Sequence, residues 1–600
     1  MDLVFRKGGF SLAAAFLTAP LFAQSWPSFA GNSHHTALAP AASQSLTQIH
    51  WQTPVDLQPQ YSGNELLIHY GSPLITAANT VLVPVKTGAA GGFRVDAHSG
   101  IDGSLLWSLS SDYQLPPSNW TPEFSPVLTP AQRLYYPAAG GTVGYRDLPD
   151  SGTGASGRMA FYGLTNHNAS PEAYNDGVMV NTPLTSSPSG DIYFGFLVTG
   201  STPLGLTSGI ARIGADGNGN WVAVTTASSD ASMTQVPHNC APTLSGDSRT
   251  VYIAVSDGSA GYLVALDSVT LQPKARVRLQ DPESQSDAIL SNDASASPTV
   301  GPDGDVFYGV LENPPGQNHE RGWLLHFDSS LGQPKLPGAF GWDDTASVVP
   351  ASMVPSYWGG SSYLLMTKYN DYIEAGGSGY NRVAVLDPNR GETDPVTGTP
   401  VMNEVLTIAG QTPDGAPPAV KEWCINSAPP AVKEWCINSA VVDPATGSIL
   451  AGSEDGKLYR WNLAGNTLSQ VLVLTPGLGE AYTPTLVGPD GTVYAINNAT
   501  LFAVGAAPPV TLNATPEALS LSYTIGGPPV TRSLTITSNP SGVAVTVATT
   551  CPGLSATPVG GVTPFTTTIT FQPAGLSPGR YTCSITVTDP TGNSMAVGVR

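Results

Sequence analysis

The sequence is short of charge, and of positive charge above all. Asp, Glu, Lys and Arg make up only 11% of the 600 residues, and 24 basic residues stand against 44 acidic ones, for a formal net charge of −20. Contacts to phosphate groups need clustered Lys and Arg, so this composition excludes nucleic acid as an expected partner and disfavours anionic membrane surfaces. Cationic ligands stay compatible with it, although an acidic surface is more often simply a soluble one.

Long apolar runs are also missing. Away from the N-terminus no run approaches the roughly 20 residues of a membrane-spanning helix, so no transmembrane segment is predicted. No stretch shows a sustained 3.6-residue apolar period, which predicts few and short helices. Residues 1–23 have the pattern of a secretory signal, in which Arg6 and Lys7 precede a short apolar stretch and Ala23 suits cleavage. We therefore expect a protein that is secreted, periplasmic or on the cell surface.

The usual catalytic and metal-binding signatures are absent as well. The nine histidines show no H-x-x-x-H or HExxH spacing. Adjacent residues of an extended chain point in opposite directions, so a packing role is predicted for His34 and His35 rather than a shared metal ion. Asp216–Asn220 begins like a calcium loop, but its twelfth position is Ala227, so a hairpin turn is predicted. Gly140–Gly144 lacks the Gly-Lys-Ser/Thr of a phosphate loop and is predicted to connect strands. No catalytic, cofactor-binding or metal-binding residue is assigned.

What the chain does contain is a phrase repeated about eight times. A Ser/Thr/Ala-Pro step and a short apolar run lead through a polar turn to a Val-Tyr run, as in Ser297–Val300 with Gly304–Tyr308 and in Thr483–Leu486 with Gly491–Tyr494. Such runs predict antiparallel hairpins, often extended by a third strand that ends in an acidic residue. Three or four strands per unit, repeated around a ring, form a β-propeller.

Spacing sets the predicted size of this propeller. The prolines of successive copies stand at 73, 126, 183, 242 and 298. Residues 26–505 would then hold eight blades of roughly 60 residues each, within the range of known propellers. Seven blades is the alternative, because residues 350–440 are irregular. The strand around His50–Gln52 is predicted to close the ring beside the last blade.

Two motifs resemble those of a known family. Trp26–Asn32 followed by His34–Thr36 is similar to the W-x-x-F-x-G-N…H-T opening of PQQ-like, quinoprotein-type propellers, and Asp102–Trp107 resembles their D-x-x-G-x-x-W blade motif. This family includes alcohol and sugar dehydrogenases that carry the quinone PQQ, commonly with calcium, and propellers that lost it and serve as binding scaffolds. The tryptophan motif is well preserved only once here, and the adjacent Cys-Cys pair of some quinone-bearing members is absent. The resemblance therefore implies the fold and transfers no catalytic residue.

A second domain is predicted after a linker at residues 506–510. In residues 511–600, runs such as Phe565–Phe571 and Tyr581–Thr588 alternate strictly between apolar and polar side chains, which predicts a β-sandwich. Leu521–Gly527 and Gly579–Val587 resemble bacterial Ig-like modules of the BACON type. That resemblance implies carbohydrate binding or a spacer role.

Five cysteines leave one unpaired in a protein predicted to be exported. They are Cys240, Cys424, Cys436, Cys551 and Cys583. Residues 416–427 are repeated without change at 428–439, and discounting one copy leaves four cysteines. Cys551 and Cys583 both have core-facing parity in their strands, so a disulfide is predicted between them. Cys240 and Cys436 both precede a blade strand; they would form a second disulfide or remain two separate buried thiols.

Two residue sets are candidates for a ligand site. The first contains scarce basic residues that could lie on the central face of the propeller: Lys86, Arg94, Arg146 and Lys368. The second contains tryptophans that could line a sugar or quinone site, although packing between blades explains them better: Trp107, Trp221, Trp323, Trp435 and Trp461.

The leading functional hypothesis is an exported, non-catalytic binding or scaffold propeller, without a cofactor and monomeric, that presents a face to a protein or an extracellular polysaccharide. The first alternative is an enzyme, a periplasmic PQQ-dependent alcohol or sugar dehydrogenase with PQQ and calcium. The second is a carbohydrate-binding accessory protein. Fold-level analogy does not decide among them.

Overall fold

The computed structural model describes residues 25–62, 65–66, 70–117, 124–332, 334–412, 437–476, 482–507, 510–590 and 592–600. The predicted signal segment at 1–23 and most of the tandem repeat at 416–439, with Cys424 and Cys436, lie outside these residues. The chain divides into two compact units, Met1–Ala506 and Ala507–Arg600.

Unit 1 consists of short antiparallel sheets that follow one another along the chain, as in a β-propeller. Three strands precede them: β1 (Gln48–Pro54), β2 (Tyr61–Ser62) and β3 (Glu65–Leu66). The first four sheets contain β4 (Leu74–Ile75), β5 (Thr80–Lys86), β6 (Phe93–Ser99), β7 (Leu105–Ser111); β8 (Val127–Leu128), β9 (Leu134–Pro137), β10 (Val143–Arg146), β11 (Ser156–Met159); β12 (Val178–Val180), β13 (Thr185–Ser186), β14 (Ile192–Val198), β15 (Gly209–Ile213), β16 (Gly219–Ala223); and β17 (Thr243–Leu244), β18 (Thr250–Ser256), β19 (Gly261–Asp267), β20 (Pro273–Arg278).

Four more sheets complete unit 1. They contain β21 (Thr299–Val300), β22 (Val306–Val310), β23 (Trp323–Phe327); β24 (Ser347–Pro350), β25 (Tyr363–Tyr369), β26 (Arg382–Thr393), β27 (Pro400–Ala409); β28 (Val441–Asp443), β29 (Ser448–Gly452), β30 (Lys457–Asn462), β31 (Thr467–Val473); and β32 (Leu486–Val487), β33 (Val493–Asn497), β34 (Thr500–Gly505). The described part of unit 1 thus holds eight sheets of three or more strands, beside the pair β2–β3. The number of blades, eight or seven, stays a prediction.

Helices are few and short, as the sequence predicts. The described α-helices are α1 (Leu164–Ala169), α2 (Pro171–Asn175) and α3 (Val224–Ser228), and single 3₁₀ turns occupy Phe29–Gly31, Ala139–Gly141, Ala351–Met353 and Ile373–Ala375. Among the described residues, none of these helices is long and apolar enough to cross a bilayer. The predicted connection at Gly140–Gly144 and the predicted turn at Asp216–Asn220, which joins β15 to β16, are both confirmed.

The last sheet of unit 1 takes a strand from the start of the chain. Strand β1 pairs antiparallel with β34, with Trp51 opposite Ala503 and Gln52 opposite Phe502. This confirms the prediction for the strand around His50–Gln52. Because the pairing joins residues about 450 positions apart, it ties the start of the chain to the last sheet of unit 1.

The Val-Tyr run of the repeat links neighbouring sheets through its tyrosine. Tyr193 is buried and donates its hydroxyl proton to the carbonyl of Ser268 in the next sheet at 2.9 Å. Tyr252 donates in the same way to the carbonyl of Ser329 at 2.6 Å. A tyrosine can pack its ring in the core while its hydroxyl finds a partner, and phenylalanine cannot supply that bond.

Unit 2 is made of two sheets around a core of its own. One has the order β35 (Thr511–Thr515), β37 (Val530–Asn539), β41 (Phe565–Phe571), β39 (Leu554–Thr557), and the other β36 (Ala518–Leu519), β43 (Ser594–Val599), β42 (Cys583–Thr588), β38 (Ala544–Thr549), β40 (Gly560–Val562). Side chains such as Leu534, Ile569 and Val587 are fully buried. The disulfide Cys551–Cys583 is present, with 5.3 Å between the Cα atoms.

We expect replacement of both Cys551 and Cys583 with alanine to lower the free energy of unfolding of unit 2 by about 3–4 kcal/mol, since the bridge restricts the unfolded chain. Hydrogen exchange of the unit 2 amides measures this. All 11 tryptophans precede residue 507, so tryptophan fluorescence reports unit 1 separately and should show no change. Cys240→Ala, a buried thiol of unit 1, is the matched control. Unchanged exchange in the double variant would contradict the expectation.

Candidate ligand site at the start of the inner strands

Each sheet contains one short strand from the first half of the repeated phrase, here called an inner strand: β4, β8, β13, β17, β21, β24, β28 or β32. Inner strands of successive sheets contact one another, as β8 does β13, β17 does β21 and β24 does β28. The hydroxyl of the repeated phrase makes the connection. Thr185 donates to the Pro242 carbonyl at 2.6 Å, Thr299 to the Ala346 carbonyl at 2.8 Å, and Ser347 to the Ala440 carbonyl at 2.6 Å. These hydroxyls are therefore structural links between sheets and are not poised as nucleophiles.

The residues Trp26–Ala39, here called the central segment, run along these inner strands. In chain order, the segment shares backbone hydrogen bonds with residues of six inner strands: Ile75, Leu128, Leu244, Val300, Val348 and Val442. The bond lengths are 2.8–3.0 Å. The family-like opening motif thus occupies the space that the inner strands enclose, where it holds successive sheets in place.

The two adjacent histidines belong to this segment. The Nδ1 atom of His34 lies 2.8 Å from the Leu244 carbonyl oxygen, and that of His35 lies 2.7 Å from the Pro298 carbonyl oxygen. His35 also packs edge-on against Phe29, with 5.3 Å between ring centroids. Its full burial lowers its pKa to about 4. Each ring is used to anchor the segment to a different sheet, which is the predicted packing role.

Three of the four scarce basic residues are used in the same structural way. The Lys86 ammonium lies 3.2 Å from Asp56 with both groups buried, and the Arg94 guanidinium lies 2.7 Å from Asp96. Arg146 stacks at 4.2 Å on the ring of Trp107 and donates to backbone carbonyls. Lys86 and Arg94 are thus paired with carboxylates, and Arg146 is held by its ring contact and two carbonyls, although its Nε atom has no partner among the described residues.

Lys368 differs from the other three. It is 3% exposed, and among the described residues its Nζ atom has no hydrogen-bond partner. Its ammonium instead faces the rings of Tyr482 at 5.2 Å and Trp342 at 5.9 Å. A buried cation without a hydrogen-bonding partner is costly, so the position suits an anionic or carbonyl oxygen that comes from outside the chain.

Asp344 interacts electrostatically with Lys368 and is hydrogen-bonded within the chain. One of its carboxylate oxygens accepts hydrogen bonds from the Thr367 hydroxyl at 2.6 Å and from the Lys368 backbone N–H at 3.0 Å. Burial raises the pKa of Asp344, and the charge of Lys368 opposes that rise. The carboxylate therefore orients the strand that carries Lys368 without capping its ammonium.

Residues that precede four inner strands complete the cluster. The Asp343 carboxylate accepts the Ser295 N–H at 2.8 Å, the Ser295 hydroxyl donates to the Tyr482 oxygen at 2.6 Å, and the Tyr482 hydroxyl donates to the Asp343 carbonyl. Asn438 donates to the Ser295 carbonyl at 3.0 Å. We call Lys368 with Trp342, Asp343, Asp344, Ser295, Asn438 and Tyr482 the Lys368 cluster. Its hydrogen bonds fix the Tyr482 ring beside the ammonium group.

The cluster does not fit the quinone and calcium pair of the family that the motifs resemble. Calcium takes six to eight oxygen ligands. Within the described ranges, no group of three or more His, Cys, Asp or Glu side chains could hold a metal ion. Asp343 and Asp344 already accept hydrogen bonds from the chain. Lys368 and Trp342 could contact an anionic ring, but the oxygen ligands for the metal are not assembled beside them.

Cys240 lies next to this region and is a buried, free thiol. Burial raises its pKa to about 12, so it stays protonated and unreactive. The predicted Cys240–Cys436 disulfide and its alternative, two separate buried thiols, both stay predictions. Cys436 itself lies outside the described residues.

Most of the singled-out tryptophans pack between strands. Trp107 donates its indole proton to the Pro149 carbonyl at 2.7 Å, Trp323 to Asp281 at 2.8 Å and Trp461 to Asn466 at 2.9 Å. Trp435 lies outside the described residues, and Trp221 is half-buried. Sequence reasoning did not select Trp342, Asp344 or Tyr482. The only local signal was that each directly precedes or opens a copy of the repeated phrase.

Comparison with known proteins gives a likeness in fold only. No family model and no curated protein sequence matches the chain. Among solved structures, a europium-containing methanol dehydrogenase aligns at 10% identity and a TM-score of 0.46, over 79% of this chain and 90% of that one. BamB from Moraxella catarrhalis aligns at 12% identity and a TM-score of 0.38, over 72% of this chain and 93% of that one. The quinohemoprotein alcohol dehydrogenase from Comamonas testosteroni aligns at 11% identity and a TM-score of 0.43, over 81% of each chain. With every score below 0.5, these likenesses transfer no activity, and the propeller assignment stands on the sheets described above.

Proposed function

We propose that this chain is an exported, non-catalytic binding propeller whose Lys368 cluster receives an anionic group of its ligand, such as a carboxylate. The observation that carries the proposal is the buried Lys368 ammonium, which lacks a hydrogen-bond partner among the described residues and faces two aromatic rings. The Cys551–Cys583 disulfide supports export, because structural disulfides persist in oxidising compartments.

Binding suits the cluster better than catalysis. A general base or nucleophile needs a free lone pair within reach of a substrate. Here the Ser295 hydroxyl donates to Tyr482, and the Asp343 carboxylate accepts the Ser295 N–H. The Asp344 carboxylate accepts the Thr367 hydroxyl and the Lys368 N–H. The quinone-dependent dehydrogenase remains the alternative, and its turnover is an outcome of the test below.

The test uses thermal stability of the full chain with citrate or with PQQ plus calcium. We expect a saturable rise in Tm for at least one of these tricarboxylates in the wild type, since binding to the native state stabilises it. Lys368→Met keeps the length of the side chain and removes the charge, so the rise should disappear. Lys274→Met, at a more exposed lysine near Asp267, is the matched control and should keep it.

Three results would overturn the proposal. An equal rise in Tm for the wild type and Lys368→Met would show that the compound binds without the Lys368 cluster. If neither compound raised the Tm of the wild type, the cluster would not be a site for such anions. Dye-linked oxidation of alcohols or sugars by the PQQ-loaded protein would replace the non-catalytic reading with the dehydrogenase. The unfolding free energy of Lys368→Met without ligand shows whether the variant folds. The buried Asp344 can take up a proton once the ammonium is removed, because burial already raises its pKa.

A further inference from the structure

A separate cleft of about 640 Å³ opens between the second and third sheets of unit 1. One wall is Arg158–Leu164, which continues the outermost strand β11 of the second sheet. The other is Gly217–Trp221, which leads into the outermost strand β16 of the third sheet, and Leu204 completes the lining. The Lys368 cluster belongs to later sheets, so this cleft is a different place in the fold.

Two glycines keep the walls of this cleft in position. A Cβ atom at Gly219 would stand 2.2 Å from the carbonyl oxygen of Phe161, so only glycine allows the two sheets to approach here. Gly217 has a φ of +83°, which an L-residue with a side chain adopts only under strain. The asparagines Asn218 and Asn220 alternate with these glycines and carry the polar groups of that wall.

The cleft combines apolar surface with amide groups. The Trp221 ring is half-buried, and its position is fixed by an edge-to-face contact with Phe196 at 5.9 Å. Leu164 and Leu204 are 37% and 48% exposed. Ligand pockets typically pair such an apolar lining with a few oriented polar groups. Here that group is the exposed side-chain amide of Asn218, which donates to Asp216 at 2.7 Å and has a second N–H and an oxygen for a ligand. The Asn220 amide instead donates to the Val269 carbonyl at 3.3 Å and accepts from Arg212 at 3.4 Å.

Charge in the cleft is balanced. The Arg158 guanidinium is paired with Asp112 at 2.6 Å, so no free charge is offered to a ligand. The acidic chain as a whole repels anionic polymers. A fitting ligand is therefore neutral, with flat apolar faces for the Trp221 ring and with hydroxyl groups for the Asn218 amide.

We propose that this cleft binds a neutral oligosaccharide, with Trp221 as the stacking platform and Asn218 as a hydrogen-bonding partner. Sugar rings present C–H faces to an aromatic side chain and hydroxyls to amides, which is the combination found here. An apolar peptide is the competing ligand. It would use Leu164 and Leu204 and would leave the Asn218 amide of the opposite wall without a ligand partner.

The test is affinity electrophoresis of the full chain in gels that contain β-glucan, mannan or xylan, with isothermal titration using the matching hexasaccharides and a neutral apolar hexapeptide. We expect at least one saccharide to bind and Trp221→Ala to weaken its affinity at least tenfold. Trp358→Ala is the matched control, because this tryptophan of unit 1 is 91% exposed and lies away from the cleft. It should bind like the wild type.

Leu204→Asp gives a second variant that does not depend on a half-buried side chain. Leu204 is exposed, so folding should be unchanged while affinity falls at least tenfold. Three results would overturn the proposal: no saccharide binds, saccharide binding survives both cleft variants, or only the peptide binds. Binding that survives both cleft variants would instead favour a sugar site elsewhere, as the BACON resemblance of unit 2 implies.

Discussion

Replacing Trp26 with alanine is expected to lower the free energy of unfolding of unit 1 by about 3–5 kcal/mol, the range for a large aromatic side chain removed from a core. Trp26 is 1% exposed and packs over Gly31, where an added Cβ would lie 3.2 Å from the indole ring. Among the described residues its indole nitrogen has no hydrogen-bond partner, so the expected loss is one of packing alone. Its backbone pairs in both directions with Ile75 of the first inner strand.

Trp358→Ala makes the same chemical change at an exposed position and should alter the free energy of unfolding by no more than about 0.5 kcal/mol. Denaturant unfolding followed by tryptophan fluorescence compares the two variants. Because all tryptophans precede residue 507, the signal reports unit 1 and leaves unit 2 silent. Similar losses in both variants would show that the central segment does not hold the inner strands together.

The hairpins of the repeated phrase could be predicted from the sequence because they depend on local residue patterns. A Val-Tyr run such as Val251–Tyr252 alternates at the period of a strand, and the turn residues mark where the next strand begins. The path of the central segment was not readable, since His34 and His35 bind carbonyls more than 200 residues away. Contacts between residues so far apart produce no periodic pattern in the sequence.

The candidate site was readable only in part. Scarcity of positive charge drew attention to Lys86 and Lys368 alike, but their surroundings differ. Lys86 pairs with Asp56 thirty residues earlier, whereas Lys368 faces Tyr482, which is 114 residues later and precedes the sheet after the next one. Whether a lysine is neutralised depends on which loops the fold brings together, and no local pattern encodes that.

Acid is expected to destabilise unit 1 between pH 6.5 and pH 4 through His35. Burial lowers the pKa of His35 from 6.5 to about 4 in the folded protein, while the unfolded chain keeps the usual value. The neutral form is favoured by folding, so this contribution is complete above pH 6.5 and is lost as the pH falls towards 4. A gap of this size in pKa corresponds to about 3 kcal/mol. Burial also lowers the pKa of His238, which adds to the loss in the same direction.

His35→Asn isolates this contribution. Asparagine tolerates the φ of +58° at this position, and its amide can donate to the Pro298 carbonyl, but it does not titrate. We expect the stability difference between wild type and variant to shrink by about 3 kcal/mol when the pH falls from 7 to 4. Val300→Ala, a buried apolar change on the inner strand beside His34, should instead shift stability by the same amount at every pH.

Subtraction of the two pH curves matters because other buried groups titrate in this range. Burial raises the pKa of Asp344 and of Glu312, and each of these carboxyls gains a proton more readily when folded, so their contribution to stability rises as the pH falls. Carboxylates with lowered pKa, such as Asp267 at about 2, lose their contribution only in stronger acid. Both groups of carboxyls are present in the wild type and in His35→Asn, so their contributions cancel when one stability curve is subtracted from the other. Parallel curves for these two proteins would mean that the His35 ring accepts a proton without leaving its place against the Pro298 carbonyl, and the central segment would then hold in acid.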